Sequence, residues 1–577
     1  MQEYILEQVY KPARYLGNEW NVSHKAQDCS NKACLKFALC FPDLYEIGMS
    51  HLGFRIIYGL LNETEGLSCE RVFAPAQDLE DLLRKEDIPF TSLESGLPLY
   101  KFDIIGFSLS HELLYTNILN ILELAHIPLY ARERGANYPL IIGGGYVCVN
   151  PEPLADFFDC FVIGEAEEVI LELAECVRRS KLKGDNRKEL LRELSQIKGV
   201  YVPALYKVEY NQDGTIKSFC SSDNSVCVKI EKRIVQNLDA AFFPRRWLVP
   251  YVQLVHDRVI LEIMRGCPHN CRFCQARAVY YPYRIRSQAK IIELARELLK
   301  FSGYEEISLL GLSCGDYPYL QEILRQLISD YKNKGISVSL PSLKVKDYIA
   351  DIPFMLKSIK KTGLTFAPEA GSKRLRDLLN KNIDVEELFK VISNAYKSGY
   401  GHVKLYFMLG VPDEREEDLD AIVDLALKVV NLRKEIDAKL GRVTLSIAAF
   451  SPKPHTVFER LPMARQEQLK EKKFYLLSKI RKNNKLRKAV KIDFHNFEMN
   501  FLESVLSRAD RRLSGVIYNA FKEGARFDSW KDRFNFSIWR KAFDKAGIIP
   551  EFYANREIAQ TETLPWGHID LSGGCES

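Results

Sequence analysis

Two successive series of strand-like runs, each separated by helix-like periods, leave this chain few ways to fold. In the first series LKFALCFP (35–42) is a short apolar run and GMSHLGFRIIYGLLNE (48–63) has helical spacing. The order continues through CERVFAP, QDLEDLLRKE, PFTSLES, DIIGFSLS, LLYTNILNILELAHI, LIIGGGYV, CFVIG and EAEEVILELAECVRR. Strands alternating with helices predict an open parallel α/β sheet. Ligands of such sheets sit at the carboxyl ends of the strands. Those ends carry Asp43, Ser108, Ser110, the run Gly143, Gly144 and Gly145, and Glu165.

The second series opens at VILEIMRGC (259–267). Its expected strands are EISLLGLS (306–313), ISVSLPS (336–342), GLTFAPEAG (363–371), GHVKLYFMLG (401–410) and RVTLSIAAFSP (442–452), with helices such as IIELARELLKFSG and DVEELFKVISNAYKSG between them. Six strand–helix repeats predict a partial or full βα barrel, whose active site lies at the carboxyl ends of its strands. A chain of 577 residues exceeds what a single core organises. The expected division is an α/β domain over 1–180, a linker with small β elements over 181–250, a βα barrel over 251–461, and a basic helical segment with a small, mostly helical appendix over 462–577. Within the linker SKLKGDNRKE reads as a loop and EYNQDGTIKS as a hairpin.

The loop after the first barrel strand holds the chemistry. In 264-MRGCPHNCRFCQARAVYYPYR-284 three cysteines, Cys267, Cys271 and Cys274, fall within eight residues. A disulfide takes two cysteines, and a structural zinc site is closed by four ligands. His269, inside the first spacer, and Cys314, from the next strand, are the nearby candidates for a fourth zinc ligand. Three thiolates also suit a [4Fe–4S] cluster with one iron left open. The N-terminus lacks the basic and apolar regions of a secretory signal, and no apolar run is long enough to span a bilayer. The expectation is therefore a reducing cytoplasm, with the other eleven cysteines mostly buried free thiols. A net charge of +5 on this length gives little reason to expect a polyanionic partner.

The Cys-x3-Cys-x2-Cys spacing, with Phe273 before the last cysteine, resembles the signature of the radical S-adenosylmethionine (SAM) enzymes. The resemblance implies a [4Fe–4S] cluster on Cys267, Cys271 and Cys274, SAM on the open iron, and cleavage of SAM to methionine and a 5′-deoxyadenosyl radical. It also implies an external reductant, ferredoxin or flavodoxin. In 310-LGLSCGDY-317, Gly311, Leu312 and Ser313 stand where the family has a glycine-containing motif near the SAM amino group, though the common Gly-Gly-Glu form is absent. Glu369 and Gly371 in 363-GLTFAPEAGSKRL-375 look like the motif beside the SAM ribose and adenine. The plainer alternative for that pair is a helix start, with Glu in a first turn and Gly-Ser as a cap. Gly410, in 404-KLYFMLGVP-412, resembles the Gly-x-Pro that ends the family's apolar strand; a buried strand with a turn reads equally well.

FPDLYEIGMSHLG, IIGGGYVCVNPEPLADFFDCFVIGEAEE and 449-AFSPKPHT-456 resemble the class in which a Rossmann-like, cobalamin-binding domain precedes the barrel, and SRADRR and ARFDSW resemble one subgroup of it. The resemblance implies that Asp43, Ser108, Ser110, Gly143, Gly144, Gly145 and Glu165 line a corrinoid, which the domain would present across the cleft from the cluster for methylation or rearrangement of a substrate. Tyr45 stands where the axial histidine of Asp-x-His-x-x-Gly belongs, and His51 comes six positions late, so an axial ligand is not expected. His51 and His111 read better as hydrogen-bonded structural histidines, and the glycine run also suits a tight turn. Two other functions stay open. A radical SAM enzyme with a vestigial first domain would modify RNA or protein, with the basic run Lys470–Lys491 meeting phosphates; a solvated helix face explains that run as well. An iron–sulfur protein without SAM chemistry is the other. Cys575, near the end, is a candidate auxiliary thiol.

Overall fold

The computed structural model of this chain describes residues 3–23, 34–222, 226–339 and 364–572. Cys575 and the part of ISVSLPS beyond residue 339 lie outside the described residues.

The first series builds one six-stranded sheet from β1 (Leu35–Phe41), β2 (Leu67–Phe73), β3 (Ile104–Ser108), β4 (Leu140–Gly144), β5 (Cys160–Val162) and β6 (Val200–Tyr201). Their order is β2-β1-β3-β4-β5-β6, and only β6 runs antiparallel to its neighbour. β1 and β2 are buried almost throughout, as parallel strands covered on both faces must be. The covering helices are α1 (Leu52–Glu63), α2 (Gln77–Glu86), α3 (Tyr115–Leu124) and α4 (Ala166–Lys183). The chain leaves β1 toward β2 and leaves β3 toward β4, in opposite directions. Right-handed crossovers then put α1 and α3 on opposite faces and open a crevice at the carboxyl ends of β1 and β3.

Two segments differ from expectation. PFTSLES is a loop, not a strand. Arg71 of β2 is fully buried and takes Glu94 of that loop and Glu19 as partners, each at 2.6 Å, which pulls the segment out of strand register. SKLKGDNRKE is mostly helical: α4 runs to Lys183, Gly184 ends it at φ +76°, and α5 (Arg187–Leu194) starts at once with a capping box between Asn186 and Glu189. The expected hairpin is present as β7 (Tyr206–Tyr210) and β8 (Ile216–Ser221), followed by β9 (Ile230–Glu231).

The second series gives two parallel arcs. One holds β10 (Val259–Glu262), β13 (Glu306–Leu310) and β14 (Ser337–Ser339); between its first two strands lies the short antiparallel pair β11 (Met264–Arg265) and β12 (Arg284–Ile285). The other holds β15 (Leu364–Glu369), β16 (His402–Leu409), β17 (Arg442–Ala449) and β18 (Val490–Phe494). In β16, Val403, Leu405, Phe407 and Leu409 enter the core, while Lys404, Tyr406 and Met408 stay half-buried on the opposite face. That alternation lines a barrel interior with mixed chemistry. β18 comes from the basic segment, where VKIDF follows α12 (Gln466–Lys482) and α13 (Asn484–Ala489) and extends the second arc.

The tail turns back to the first sheet. α14 (Phe497–Arg508) packs on the second arc, α15 (Leu513–Lys522) packs on α3, and α16 (Phe536–Ala546) packs on α15. β19 (Ile569–Asp570) pairs with β9. One continuous hydrophobic cluster joins the first sheet, the second arc and the tail, so these parts share a core. No described helix is long and apolar enough to cross a membrane.

Candidate active site

The cysteine loop spans 266–283 and is closed at its base by β11 and β12. Gly266 opens it at φ +83°, where a Cβ would lie 2.6 Å from the Pro282 carbonyl and 2.7 Å from that of Tyr280. Only glycine fits so close a return of the backbone. Cys267, Cys271 and Cys274 are all half-buried. The Cys274 amide donates to the Cys271 carbonyl at 3.2 Å, and Cys274 then caps α6 (Gln275–Tyr280). A charge clamp grips the base. Arg284 makes a bidentate pair with Glu165 at 2.6 and 2.8 Å, and Arg265 reaches Glu167 at 2.7 Å and Glu262 at 2.9 Å. Burial works to raise the Glu165 carboxyl, but Arg284 and Arg265 outweigh it and hold it below the usual range.

Neighbouring loops pin the cysteines from the barrel side. The Asn270 carbonyl accepts from Asn380 at 2.7 Å, and the Arg272 amide donates to Leu379 at 3.0 Å. His269 pairs with Asp316 at 2.6 Å, and Ser313 donates to the same carboxylate oxygen at 2.6 Å. This network ties the cysteine loop to 310-LGLSCGDY-317. It also bears on zinc. His269 is committed to Asp316, and the buried Cys314 thiol points at the carbonyls of Leu309 and Gly311. Among the described residues, the one trio of candidate ligand atoms within 4.8 Å of one another is His111, Glu112 and Glu503.

Glu369 ends β15 beside this loop. It adopts φ +67°, unusual for glutamate, where the β15–β16 register slips. Its carboxylate pairs with Lys381 at 3.2 Å. Burial pushes the Glu369 carboxyl up and Lys381 partly restrains it; Lys381 likewise opposes the upward push of burial on Cys271. Glu369 stands outside the first turn of α9 (Lys373–Leu378), which Ser372 caps. A left-handed carboxylate paired with Lys381 and close enough to act on the Cys271 thiol is the kind of strain found at functional positions.

The glycines have packing reasons. A Cβ on Gly371 would lie 2.4 Å from the Ile422 amide in the second turn of α11 (Glu416–Asp437), one on Gly311 would strike Met264, and Gly410 turns at φ +78° beneath Leu469. Phe273 packs against the cluster of Ala370, Leu375, Leu379, Phe450 and Phe458.

Opposite the cysteines lies the rim of the first sheet. Ser108 and Ser110 are half-buried there, Gly145 is exposed, and the ring of Tyr146 sits 6.2 Å from that of Tyr280. Burial, then the charges of Glu112 and Cys274, hold the Tyr146 hydroxyl above the usual tyrosine range. Beside it, Lys453 bridges Glu112 at 2.7 Å and Glu503 at 2.8 Å, and His111 approaches Glu503 at 3.6 Å. Burial works against the ammonium, but the two carboxylates outweigh it and hold Lys453 above the ordinary lysine range. The cluster joins β3's exit, the end of β17 and α14. Sequence reasoning missed Lys381, Tyr146, Glu112, Lys453 and Glu503. Lys453 sits within the quoted AFSPKPHT, and only that motif hinted at it.

The remaining rim residues are engaged within the protein. The Asp43 carboxylate accepts from Trp530 Nε1 at 2.9 Å and from the Leu44 amide at 2.7 Å. A Cβ on Gly143 would strike the Phe161 ring, and one on Gly145 would lie 2.6 Å from the Leu109 carbonyl. Glu165 belongs to the clamp. His51 is half-buried by its accessible surface, accepts from the Phe54 amide, and is pushed down to about 4 by the protein around its ring, as a structural histidine is.

Comparison with known proteins places this geometry. The family described as "Radical SAM proteins, N-terminal" matches residues 53–203, and "Radical SAM superfamily" matches 261–426. The chain is 28% identical over 487 residues to "Uncharacterized protein MJ0966" of Methanocaldococcus jannaschii, covering 82% of this chain and 95% of that one. It is 23% identical over 407 residues to the ribosomal protein uS12 methylthiotransferase RimO of Thermoanaerobacter sp., covering 66% and 83%. Its fold is similar to that of the radical S-adenosylmethionine methyltransferase TsrM of Kitasatospora setae, solved with cobalamin and a [4Fe–4S] cluster. The TM-score is 0.55 at 13% identity, over 89% of this chain and all of that one. With family matches over both α/β series and three cysteines on the loop that follows the first barrel strand, the chain belongs to the radical SAM superfamily.

Proposed function

We propose that Cys267, Cys271 and Cys274 hold the [4Fe–4S] cluster and that SAM lies between it and Glu369, with Phe273, Gly311, Ser313, Gly371 and Gly410 shaping the walls. The observation that carries this reading is Glu369, held in left-handed backbone beside Lys381 and the thiols. A cluster held there, reduced by ferredoxin or flavodoxin, would supply the electron that cleaves SAM to methionine and a 5′-deoxyadenosyl radical. The chain's own task is enclosure. The clamp around Glu165 holds the first sheet over the cysteine loop, and α14 with Lys453 closes the side, keeping water from the reactive centre. A corrinoid would rest on the rim formed by Ser108, Ser110, Gly145 and Tyr146, facing the cysteine loop. Methylation of an unactivated carbon in a substrate held in this cleft is the reaction we favour.

Anaerobic reconstitution with iron and sulfide, followed by SAM and reductant, tests the reading. The wild type should form 5′-deoxyadenosine and Cys267→Ala should not. A fully cluster-loaded wild type that leaves SAM intact refutes it.

A second reading keeps the radical chemistry, leaves the first domain without a corrinoid, and takes RNA or protein as substrate. The exposed basic face of Arg481, Lys482, Arg487, Lys488 and Lys491 favours it, although Lys472 and Lys479 of the same segment are spent on Glu414 and Asp420. Binding of total RNA that weakens steeply with salt would support it, and no binding at low salt would sink the RNA version.

A further inference from the structure

The crevice between the carboxyl ends of β1 and β3 is where an open α/β sheet receives the deep-lying part of its ligand. In this chain it is filled by the chain itself. Beyond α15 the segment Ala525–Trp530 crosses the crevice mouth. The Phe527 amide donates to Asn117 Oδ1 at 2.8 Å, and Asn117 Nδ2 donates to the Pro42 carbonyl at 2.8 Å, so one buried side chain joins β1's exit to the tail. Thr116 donates to Asp528 at 2.9 Å, Trp539 donates to the other oxygen of Asp528 at 3.0 Å, and Trp530 covers Asp43. Asn117, Thr116 and Asp528 are each no more than 2% exposed, and Phe527 belongs to the shared core. Such a set of satisfied, buried polar contacts marks a built joint. The rim beside it, with Ser108, Ser110 and Tyr146, is half-buried and lies on the side of the cysteine loop, where the Tyr146 ring sits 6.2 Å from that of Tyr280.

Resting on the corrinoid reading above, we propose that Phe527–Trp530 occupy the seat that a corrinoid's nucleotide arm would take, so that this protein holds a corrinoid by its ring alone, on the rim. The arm, dangling in solvent, then contributes nothing to recognition. Cobalamin carries the nucleotide arm and cobinamide lacks it, which makes the pair a direct probe.

The experiment uses the full chain with its cluster reconstituted, titrated with hydroxocobalamin and with diaquocobinamide and followed by visible absorbance. Amide exchange of 513–546 is measured with and without each ligand. The expected result is dissociation constants within tenfold of each other and unchanged exchange across 525–530. A preference of tenfold or more for hydroxocobalamin, or loss of protection across 525–530 when it binds, overturns the ring-only mode and leaves the corrinoid reading standing. Binding of neither ligand overturns both.

Discussion

Asp528 offers a quantitative handle on the joint between the tail and the first sheet. It is 2% exposed and accepts from Thr116 and Trp539. Burial pushes its carboxyl up to about 6, against the pull of those two hydrogen bonds and of Arg526. The same group in an unfolded segment titrates near 3.9. The docked state therefore holds the proton more tightly than the undocked one. Its contribution to docking is fully present below about pH 4 and is lost as pH rises through 6. A gap of roughly two pH units at 1.36 kcal/mol each sets the loss at about 3 kcal/mol by neutral pH. Asp528→Asn keeps the shape of the protonated acid, with a carbonyl to accept from Trp539 and an amide to donate to the Thr116 hydroxyl. Amide protection across 513–546, corrected for intrinsic exchange, should match the wild type at pH 4 and exceed it by up to about 100-fold at pH 7.5, since local opening reports the docking free energy. Equal protection of the two proteins at both pH values, or weaker protection of the variant at pH 7.5, refutes the reasoning.

Four further outcomes follow from the site. Gly266→Ala places a methyl against two carbonyls in left-handed backbone, at a cost above about 1 kcal/mol before any collision; reconstituted iron per chain should fall below half of wild type while far-UV circular dichroism is unchanged. Glu369→Gln should leave iron content intact yet weaken SAM binding about tenfold or more, by equilibrium dialysis, because a charged partner is worth about 1.5–3 kcal/mol. Lys453→Met strands the buried Glu112 and the half-buried Glu503, costing up to about 3 kcal/mol; its thermal midpoint should drop, and adding Glu503→Gln should recover part of the loss. Arg284→Ala opens the clamp on Glu165, and iron release to a chelator should quicken several-fold.

The path of the chain was largely legible. QDLEDLLRKE has helical spacing and forms α2 over those same residues, Gln77–Glu86, and the strands at 35, 259, 402 and 442 begin within a residue of where apolar runs begin. These segments are governed by local periodicity, which a sequence displays. PFTSLES misled because its fate is set by Glu94 meeting buried Arg71, twenty-three residues earlier. α5 carried a readable signal, Asn186 with Glu189 as a capping box, that its polar composition obscured. At the site, the cysteines were visible because their spacing is local. Lys453, Glu112 and Glu503 were not, because the ammonium and its two carboxylates come from three separate regions of the chain and meet only in the fold. The first sheet's glycines were visible but silent about purpose: Gly145 is demanded by the Leu109 backbone, a contact no spacing announces.

The Asn117–Phe527 joint also imposes a schedule on biosynthesis. The two residues are about 400 positions apart, and a ribosome adds roughly 5–20 residues each second. For some 20–80 s, then, the nascent chain carries Asn117 without its partner, and the joint can close only during the last tenth of synthesis. The order of synthesis thus makes this joint one of the last parts of the fold to form.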